Sequence, residues 1–344
     1  MPKFVLSKSK VLEQYMKIEG VADIVSYSSK TNPLVSGILE ANTDCMFSVH
    51  LVNELKNIKN RKRVMFLAQA WTCEDIENLI LHGIDFFVVD NEQDLLILEE
   101  FLRNHDVKIK LLLRLKLKEM TLRTERYFVF GMNSDVVNKR IKELKQDFGD
   151  KIEMLGIHFH RKTQNMSEWN IKYELSNIID ENVLKMLDIV NIGGGLPSEY
   201  ANTNVDVLKG IFSRIDEFKE WASGYGIKLM IEPGRFIAAP AGKLLTKVIG
   251  VYDGNVIVDA SVYNSDMDAV IVPVKLKVEG ELDKKTGDAY VIKGVTPCSM
   301  DLFRYRVYLK DPKVGDELVF LNAGAYNFST EFCDLEKIET EMVD

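Results

Sequence analysis

The chain is poor in cysteine: four thiols, at positions 45, 73, 298 and 333, in 344 residues. Their spacing fits no zinc-ligand pattern, so no metal site is expected. So sparse a set does not build a disulfide framework, which points to a reducing, cytoplasmic setting. Long apolar runs are also missing. None approaches the roughly 20 residues of a membrane span, and the opening Met-Pro-Lys-Phe-Val-Leu lacks the apolar core of a secretory leader. A basic excess is absent too. Lys and Arg number 44 against 52 Asp and Glu, for a net charge of −8, which argues against a nucleic-acid partner. There is no internal repeat and no low-complexity segment. What remains is an ordinary globular composition, 46% hydrophobic and 28% charged, with enough chain for one large domain or two ordinary ones.

The first two-thirds of the chain alternates short apolar runs with amphipathic stretches. The runs Ile24–Tyr27, Val64–Leu67, Phe86–Val89, Ile109–Arg114, Met154–Phe159, Ile189–Ile192 and Lys228–Ile231 read as strands. The segments Leu34–Glu40, Cys73–His82, Glu92–Asn104, Ser134–Phe148 and Val205–Tyr225 between them read as helices. Seven or eight such units predict an α/β fold, a parallel (β/α)8 barrel, with a doubly wound open sheet as the alternative. After Arg235 the pattern changes. From Leu244 to Phe320 apolar residues mostly alternate, as in Val270–Val278, and turns such as Asp253-Gly254 punctuate them. That predicts a C-terminal antiparallel β-domain, with a barrel over 1–238 and the β-domain over 239–344. The N-terminus is short, leaving little room for a strand before the barrel.

Several short motifs fall just after the expected strands, where barrel enzymes keep their reactive groups. Lys30 lies in Ser-Tyr-Ser-Ser-Lys-Thr-Asn-Pro, His158 and His160 in Gly-Ile-His-Phe-His, and Gly193, Gly194 and Gly195 in Ile-Gly-Gly-Gly-Leu-Pro. Glu232, Gly234 and Arg235 lie in Ile-Glu-Pro-Gly-Arg-Phe. A lysine forms a Schiff base, a side-chain-free loop lets backbone N–H groups approach a phosphate, a carboxylate pairs with a pyridinium nitrogen, and a histidine lies against a ring. Together these are the parts an aldehyde cofactor needs.

At these residues the sequence resembles the fold-type III pyridoxal-phosphate decarboxylases, a family that includes ornithine, arginine, diaminopimelate and carboxynorspermidine decarboxylases. The resemblance runs in order over nearly the whole chain and includes Arg114 in Leu-Leu-Leu-Arg-Leu and the Phe130-Gly131 pair. It implies pyridoxal 5′-phosphate as cofactor, a barrel plus β-domain, and a head-to-tail homodimer with active sites at the interface. By the same resemblance Lys30 is the Schiff-base lysine, Glu232 the partner of the ring nitrogen, and His160 the histidine stacked on the ring, with His158 its rival. Gly193–Gly195, Gly234, Arg235 and Tyr326 answer to the phosphate-binding groups. Cys298, in Pro-Cys-Ser-Met-Asp, resembles the cysteine that the second subunit donates to reprotonate the substrate carbon, and Asp301 the acidic residue of that loop.

Three departures from the family pattern stand out. After His160 the usual Gly-Ser pair is replaced by Arg-Lys-Thr-Gln-Asn, leaving Thr163 or Asn165 for the serine's polar role. The Cys-Asp-Ser-x-Asp loop is altered, so either one residue is missing or Cys298 holds the acidic position. In Asp259–Asp268 the acidic residues near the expected substrate-reading position are Asp266 and Asp268. Together with Asp301 they point to a small-molecule amino acid with a distal positive charge: ornithine, lysine, arginine or a carboxylated polyamine. Diaminopimelate is the alternative, less favoured because no basic residue stands ready for a second carboxylate. An amino-acid racemase, against which Glu232 speaks, and a non-catalytic relative are the other classes left open.

Overall fold

The computed structural model describes residues 1–117 and 129–344. Two compact units emerge: Met16–Pro197 with Val207–Gly234, and Met1–Tyr15 with Ser198–Asp206 and Arg235–Asp344. The chain opens with strand β1 (Lys3–Ser7) and helix α1 (Lys8–Glu19).

In the first unit, among the described residues, eight parallel strands close into a barrel: β2 (Ile24–Ser28), β3 (Met46–Val49), β4 (Val64–Ala68), β5 (Phe86–Val89), β6 (Ile109–Arg114), β7 (Ile152–His158), β8 (Ile189–Asn191) and β9 (Lys228–Ile231). Pairing of Ile24 with Met230 and Val25 with Ile231 shuts the ring. Helices α2 (Pro33–Asn42), α3 (Cys73–Leu81), α4 (Glu92–Asn104), α5 (Ser134–Phe148), α6 (Ile171–Ile178), α7 (Glu181–Leu184) and α8 (Leu208–Ser223) make the crossovers. Strands covered on both faces need no polar alternation, hence the all-buried Phe86-Phe-Val-Val of β5. The barrel interior is filled by Met65, Phe86, Val88, Leu112, Ile189 and Met230, with Ile24, Met46, Leu67 and Met154 packed against them. Every strand contributes, so the interior is a core and chemistry is left to the mouth.

The seven expected strands are present. The eighth, β3, escapes the sequence reading because Met-Phe-Ser-Val is only four residues long and carries a serine. That Ser48 is buried, its hydroxyl 2.8 Å from Ser26 Oγ on the neighbouring strand. Among the helices, α4 and α5 have the expected bounds.

The second unit holds an eight-stranded, mostly antiparallel sheet. Its hub is β10 (Gly242–Tyr252), the longest strand. The others are β11 (Asn255–Val258), β12 (Lys277–Val278), β13 (Asp288–Lys293), β14 (Leu302–Leu309), β15 (Glu317–Leu321) and β16 (Thr340–Val343). They run in the order β12-β15-β10-β11-β13-β14, with β1 beside both β10 and β16. The short N-terminus therefore does form a strand, contrary to expectation. The strand expected over Val270–Val278 is also corrected. A helical turn, Met267–Ile271, precedes Pro273, whose missing N–H cannot join a ladder, and only Lys277–Val278 pairs.

Candidate active site

The local sequence explains how Lys30 is presented. Strand β2 stops at Ser28, one 3₁₀ turn covers Ser29–Thr31, and Asn32 then caps α2 by accepting the Leu34 N–H at 3.1 Å. Pro33 sits at the first helical turn, where no N–H is needed. Ser-Lys-Thr-Asn-Pro is thus a strand end, a turn and a helix cap in five residues, and Lys30 projects from the turn. Its side chain is exposed, yet protein crowds its flanks. That crowding lowers the ammonium's pKa, with Glu232 and Glu54 pulling the other way and Arg114 adding to the decrease. The amine Nζ lies 3.1 Å from Nε2 of His50, the residue following β3.

Glu232, directly after β9, is buried among polar groups. Asn191, the last residue of β8, donates its amide to Glu232 Oε1 at 2.6 Å, and His158 Nε2, from the end of β7, lies 3.1 Å from the same oxygen. Burial alone would favour the neutral acid. The imidazoles of His158, His50 and His160 more than offset it and hold the carboxyl down at about 2. Glu232 is therefore a buried carboxylate that stays ionised. His160, two residues beyond His158, is exposed, and its Nδ1 accepts the Gly194 N–H at 3.2 Å. Crowding by protein, helped by His158, Lys30 and Arg114, pushes its pKa to about 3 against the pull of Glu232, so the ring is uncharged at neutral pH.

The glycine triplet is demanded by close packing. A Cβ on Gly193 would stand 2.5 Å from the Phe159 carbonyl oxygen, and one on Gly194 the same distance from that of Glu232. Gly193 and Gly195 also hold φ of +67° and +97°. The N–H of Gly193 goes to Asn191 Oδ1 at 2.9 Å, so two of the three amides serve the protein itself. The Gly195 carbonyl accepts the N–H of Asn165 at 2.8 Å. Asn165 is buried and spends its side chain on Glu168, organising the loop that replaces the family's Gly-Ser pair. Arg114 ends β6, donates to Asp90 at 3.1 Å and lies over the Phe130 ring at 4.8 Å. Gly131 has no room for a side chain, for its Cβ would meet the Leu115 backbone at 2.9 Å.

In the second unit Arg235 is buried and grips both oxygens of Asp268, at 2.9 Å through Nη2 and closer through Nη1. Its guanidinium also donates to Tyr200 Oη at 2.9 Å and lies 5.0 Å from the Tyr326 ring centroid. Asp268 is thus engaged within the chain. So is Asp301, whose carboxylate accepts from the Val262 and Thr296 amides and the Thr296 hydroxyl at 2.7–3.0 Å. Asp266 differs. It is fully buried, no side-chain donor meets its oxygens among the described residues, and burial beside Asp268 pushes its pKa well up. Cys298 Sγ lies 3.3 Å from the Tyr263 hydroxyl, which favours the thiolate and raises the phenol to about 12.

The structure brings together Lys30, Arg114, His158, His160 and Glu232 within one charge network, and Arg235, Asp268 and Tyr326 within another. Sequence reading missed His50, because its strand was missed. It also missed Asn191, Asp90, Tyr200 and Tyr263, single polar residues without a motif. Among the described residues no cluster of His, Cys, Asp and Glu could hold a metal ion.

An accessible amine whose charge is disfavoured, beside a buried carboxylate that stays ionised and an uncharged imidazole, fits a pyridine ring bearing an aldehyde. In general a lysine can meet an aldehyde, a carboxylate a pyridinium nitrogen, and an imidazole the face of a ring. Barrel and site together define the class: a (β/α)8 enzyme built around an aldehyde cofactor. Comparison with known proteins agrees. Residues 41–239 match the family described as "Pyridoxal-dependent decarboxylase, pyridoxal binding domain", the match starting downstream of Lys30. The chain belongs to the pyridoxal-dependent decarboxylases, carboxy-lyases whose cofactor is pyridoxal 5′-phosphate. A diaminopimelate decarboxylase of Aquifex aeolicus is 25% identical over 290 residues, spanning 78% of this chain and 66% of the relative. The Vibrio vulnificus lysine/ornithine decarboxylase complexed with cadaverine superposes at a TM-score of 0.82, with 21% identity over 100% of this chain and 95% of that one. The M. jannaschi diaminopimelate decarboxylase reaches 0.84, at 19% identity over 99% and 86%.

Proposed function

We propose that the protein decarboxylates an amino acid with a distal positive charge (ornithine, lysine or arginine) or a carboxylated polyamine, at a site centred on Lys30. The observation that carries this reading is the pairing of an accessible, charge-disfavoured lysine with the buried, ionised Glu232. When bound, pyridoxal phosphate supplies a sink for the electrons left behind by carbon dioxide. Lys30 would hold the cofactor through its amine. Glu232 holds a proton on the ring nitrogen, Asn191 and His158 fix that carboxylate, and His160 lies against the ring. Gly195 and Gly234 would hold the phosphate through their backbone, and Arg114 is a further candidate for the cofactor. Cys298, helped by the Tyr263 hydroxyl, returns a proton to the substrate carbon. Asp266, Asp268 and Asp301 are the candidate readers of the distal cation. Of the three, Asp266 is the one whose oxygens no side chain engages among the described residues, and a substrate ammonium would supply a partner.

The working form is a cytoplasmic homodimer in which Cys298 serves the partner's site. If so, mixing inactive Lys30→Ala with inactive Cys298→Ala restores up to about a quarter of wild-type activity, because random exchange leaves one intact site per heterodimer. No recovery after demonstrated subunit exchange removes that arrangement.

Diaminopimelate decarboxylation is the second reading, favoured by the similarity to diaminopimelate decarboxylases. Carbon dioxide release from lysine, ornithine, arginine, carboxynorspermidine and diaminopimelate separates the two. Turnover of diaminopimelate alone overturns the basic-substrate reading. Racemisation without carbon dioxide release from any of them overturns decarboxylation itself.

A further inference from the structure

His50 belongs to no motif in the sequence and has no part in the mechanism above, yet it touches the central lysine. Its Nε2 lies 3.1 Å from Lys30 Nζ, and its Nδ1 lies 4.0 Å from Glu54 Oε1. Glu54 does more than face the ring. The same Oε1 accepts the backbone N–H of His50 at 2.8 Å and of Leu51 at 3.0 Å, which pins the turn after β3. The ring therefore leaves a fixed backbone, between a carboxylate on one side and an amine on the other. The Glu54 carboxylate stands too far from Nδ1 for a hydrogen bond, but by charge alone it favours the tautomer with its proton on Nδ1. Nε2 then keeps a lone pair directed at Lys30. Burial first, then Lys30, His158 and Arg114, disfavour the imidazole cation against the pull of Glu232, and Glu54 faces the ring at 4.0 Å; the ring is left uncharged at neutral pH.

We propose that His50 is a positioning residue for Lys30: its Nε2 accepts a hydrogen bond from the Lys30 amine and holds that amine in the orientation from which it meets the cofactor aldehyde. The inference rests on the reading of Lys30 as the cofactor-binding lysine. It explains how an exposed four-carbon side chain, with considerable rotamer entropy to lose, is held at one place over the barrel. Lys30 donates, His50 accepts, and no proton needs to leave the pair. A glutamine at this position keeps an acceptor and an isostere of phenylalanine does not, so the two replacements separate hydrogen bonding from filling of space.

The test follows adduct formation rather than turnover. Cofactor-depleted protein is mixed with pyridoxal 5′-phosphate, quenched with borohydride at successive times between pH 6 and 9, and the modified lysine located by peptide mapping. His50→Phe is expected to form the Lys30 adduct about ten-fold more slowly at neutral pH, the worth of one modest hydrogen bond, while His50→Gln recovers most of the wild-type rate. Wild-type rate and pH profile in His50→Phe would overturn the proposal. Nitrogen NMR of the wild-type imidazole gives a check independent of any substitution. A protonated Nδ1 with an accepting Nε2 is expected, and a proton found on Nε2 would also overturn it. If the wild-type adduct maps to another lysine, the assignment of Lys30 falls first. If it maps to Lys30 with the rate indifferent to His50, only the present inference falls.

Discussion

The two units each bury a carboxylate, and they treat it in opposite ways. In the barrel, Glu232 is surrounded by an amide donor and imidazoles, and it stays ionised despite its burial. In the second unit Asp266 is also buried but has Asp268 for a neighbour, while the nearby cation, Arg235, is spent on Asp268. Burial thus sets the cost of a charge without deciding whether the charge is kept. The partners decide. The ionised Glu232 carboxylate shares its charge network with the accessible amine of Lys30.

That contrast holds only if the barrel's charge exists for a ligand. The largest expected effect is therefore all-or-none: Lys30→Ala should lose the borohydride-trapped cofactor adduct completely, as read by peptide mapping, and an adduct on any other lysine would break the comparison at its base. Next, Glu232→Gln should still bind cofactor but lose turnover by about a hundred-fold or more, since it removes a charge aimed at where charge develops. Unchanged kcat would mean another group serves the ring nitrogen. Third, Asp268→Asn strands the buried Arg235 guanidinium and should lower unfolding stability by about 3–5 kcal/mol, with Asp268→Leu combined with Arg235→Met recovering most of the loss. A double variant no more stable than Asp268→Asn alone would show that the ion pair is not the cause.

The smallest effects carry the sharpest sign test. Glu232 has a depressed folded pKa, so its contribution is present above the usual carboxylate range and disappears as pH falls toward about 2. Asp266 has a raised one. The unfolded chain ionises it first, so stability is lost as pH rises from the ordinary aspartate value through the folded one. Asp266→Asn should therefore gain stability at pH 7 and nothing near pH 3. Denaturant melts across that range read the difference directly. A gain independent of pH would show that the carboxyl is not held protonated.

Much of the barrel was legible in the sequence because its strands, buried on both faces, are continuous apolar runs, and because Lys30, His160, the glycine triplet and Glu232 each follow one. The same rule explains the failures. Met46–Val49 is short and contains a serine satisfied only by a hydroxyl on the next strand, so neither the strand nor His50 at its end stood out. The engagement of Asp268 by Arg235, thirty-three residues away in sequence, is tertiary and leaves no local trace. Nor could spacing show that Asn165 would be spent on its own loop, or that two glycine amides would serve Asn191 and His160.

Strand β1 has a consequence for how the chain is made. Its partners are β10, which begins at Gly242, and β16, which begins at Thr340, so well over half of the polypeptide separates this strand from its ladder. On a ribosome adding roughly 5–20 residues per second, β1 waits on the order of ten seconds or more with both edges bare. The barrel, whose neighbouring strands pair mostly in sequence order, can assemble in the meantime. A lone edge of that kind invites pairing with a neighbouring nascent chain. At five residues, with Lys3 in it and Lys8 and Lys10 close behind, the segment is short and charged enough to be a poor template for such mispairing while it waits.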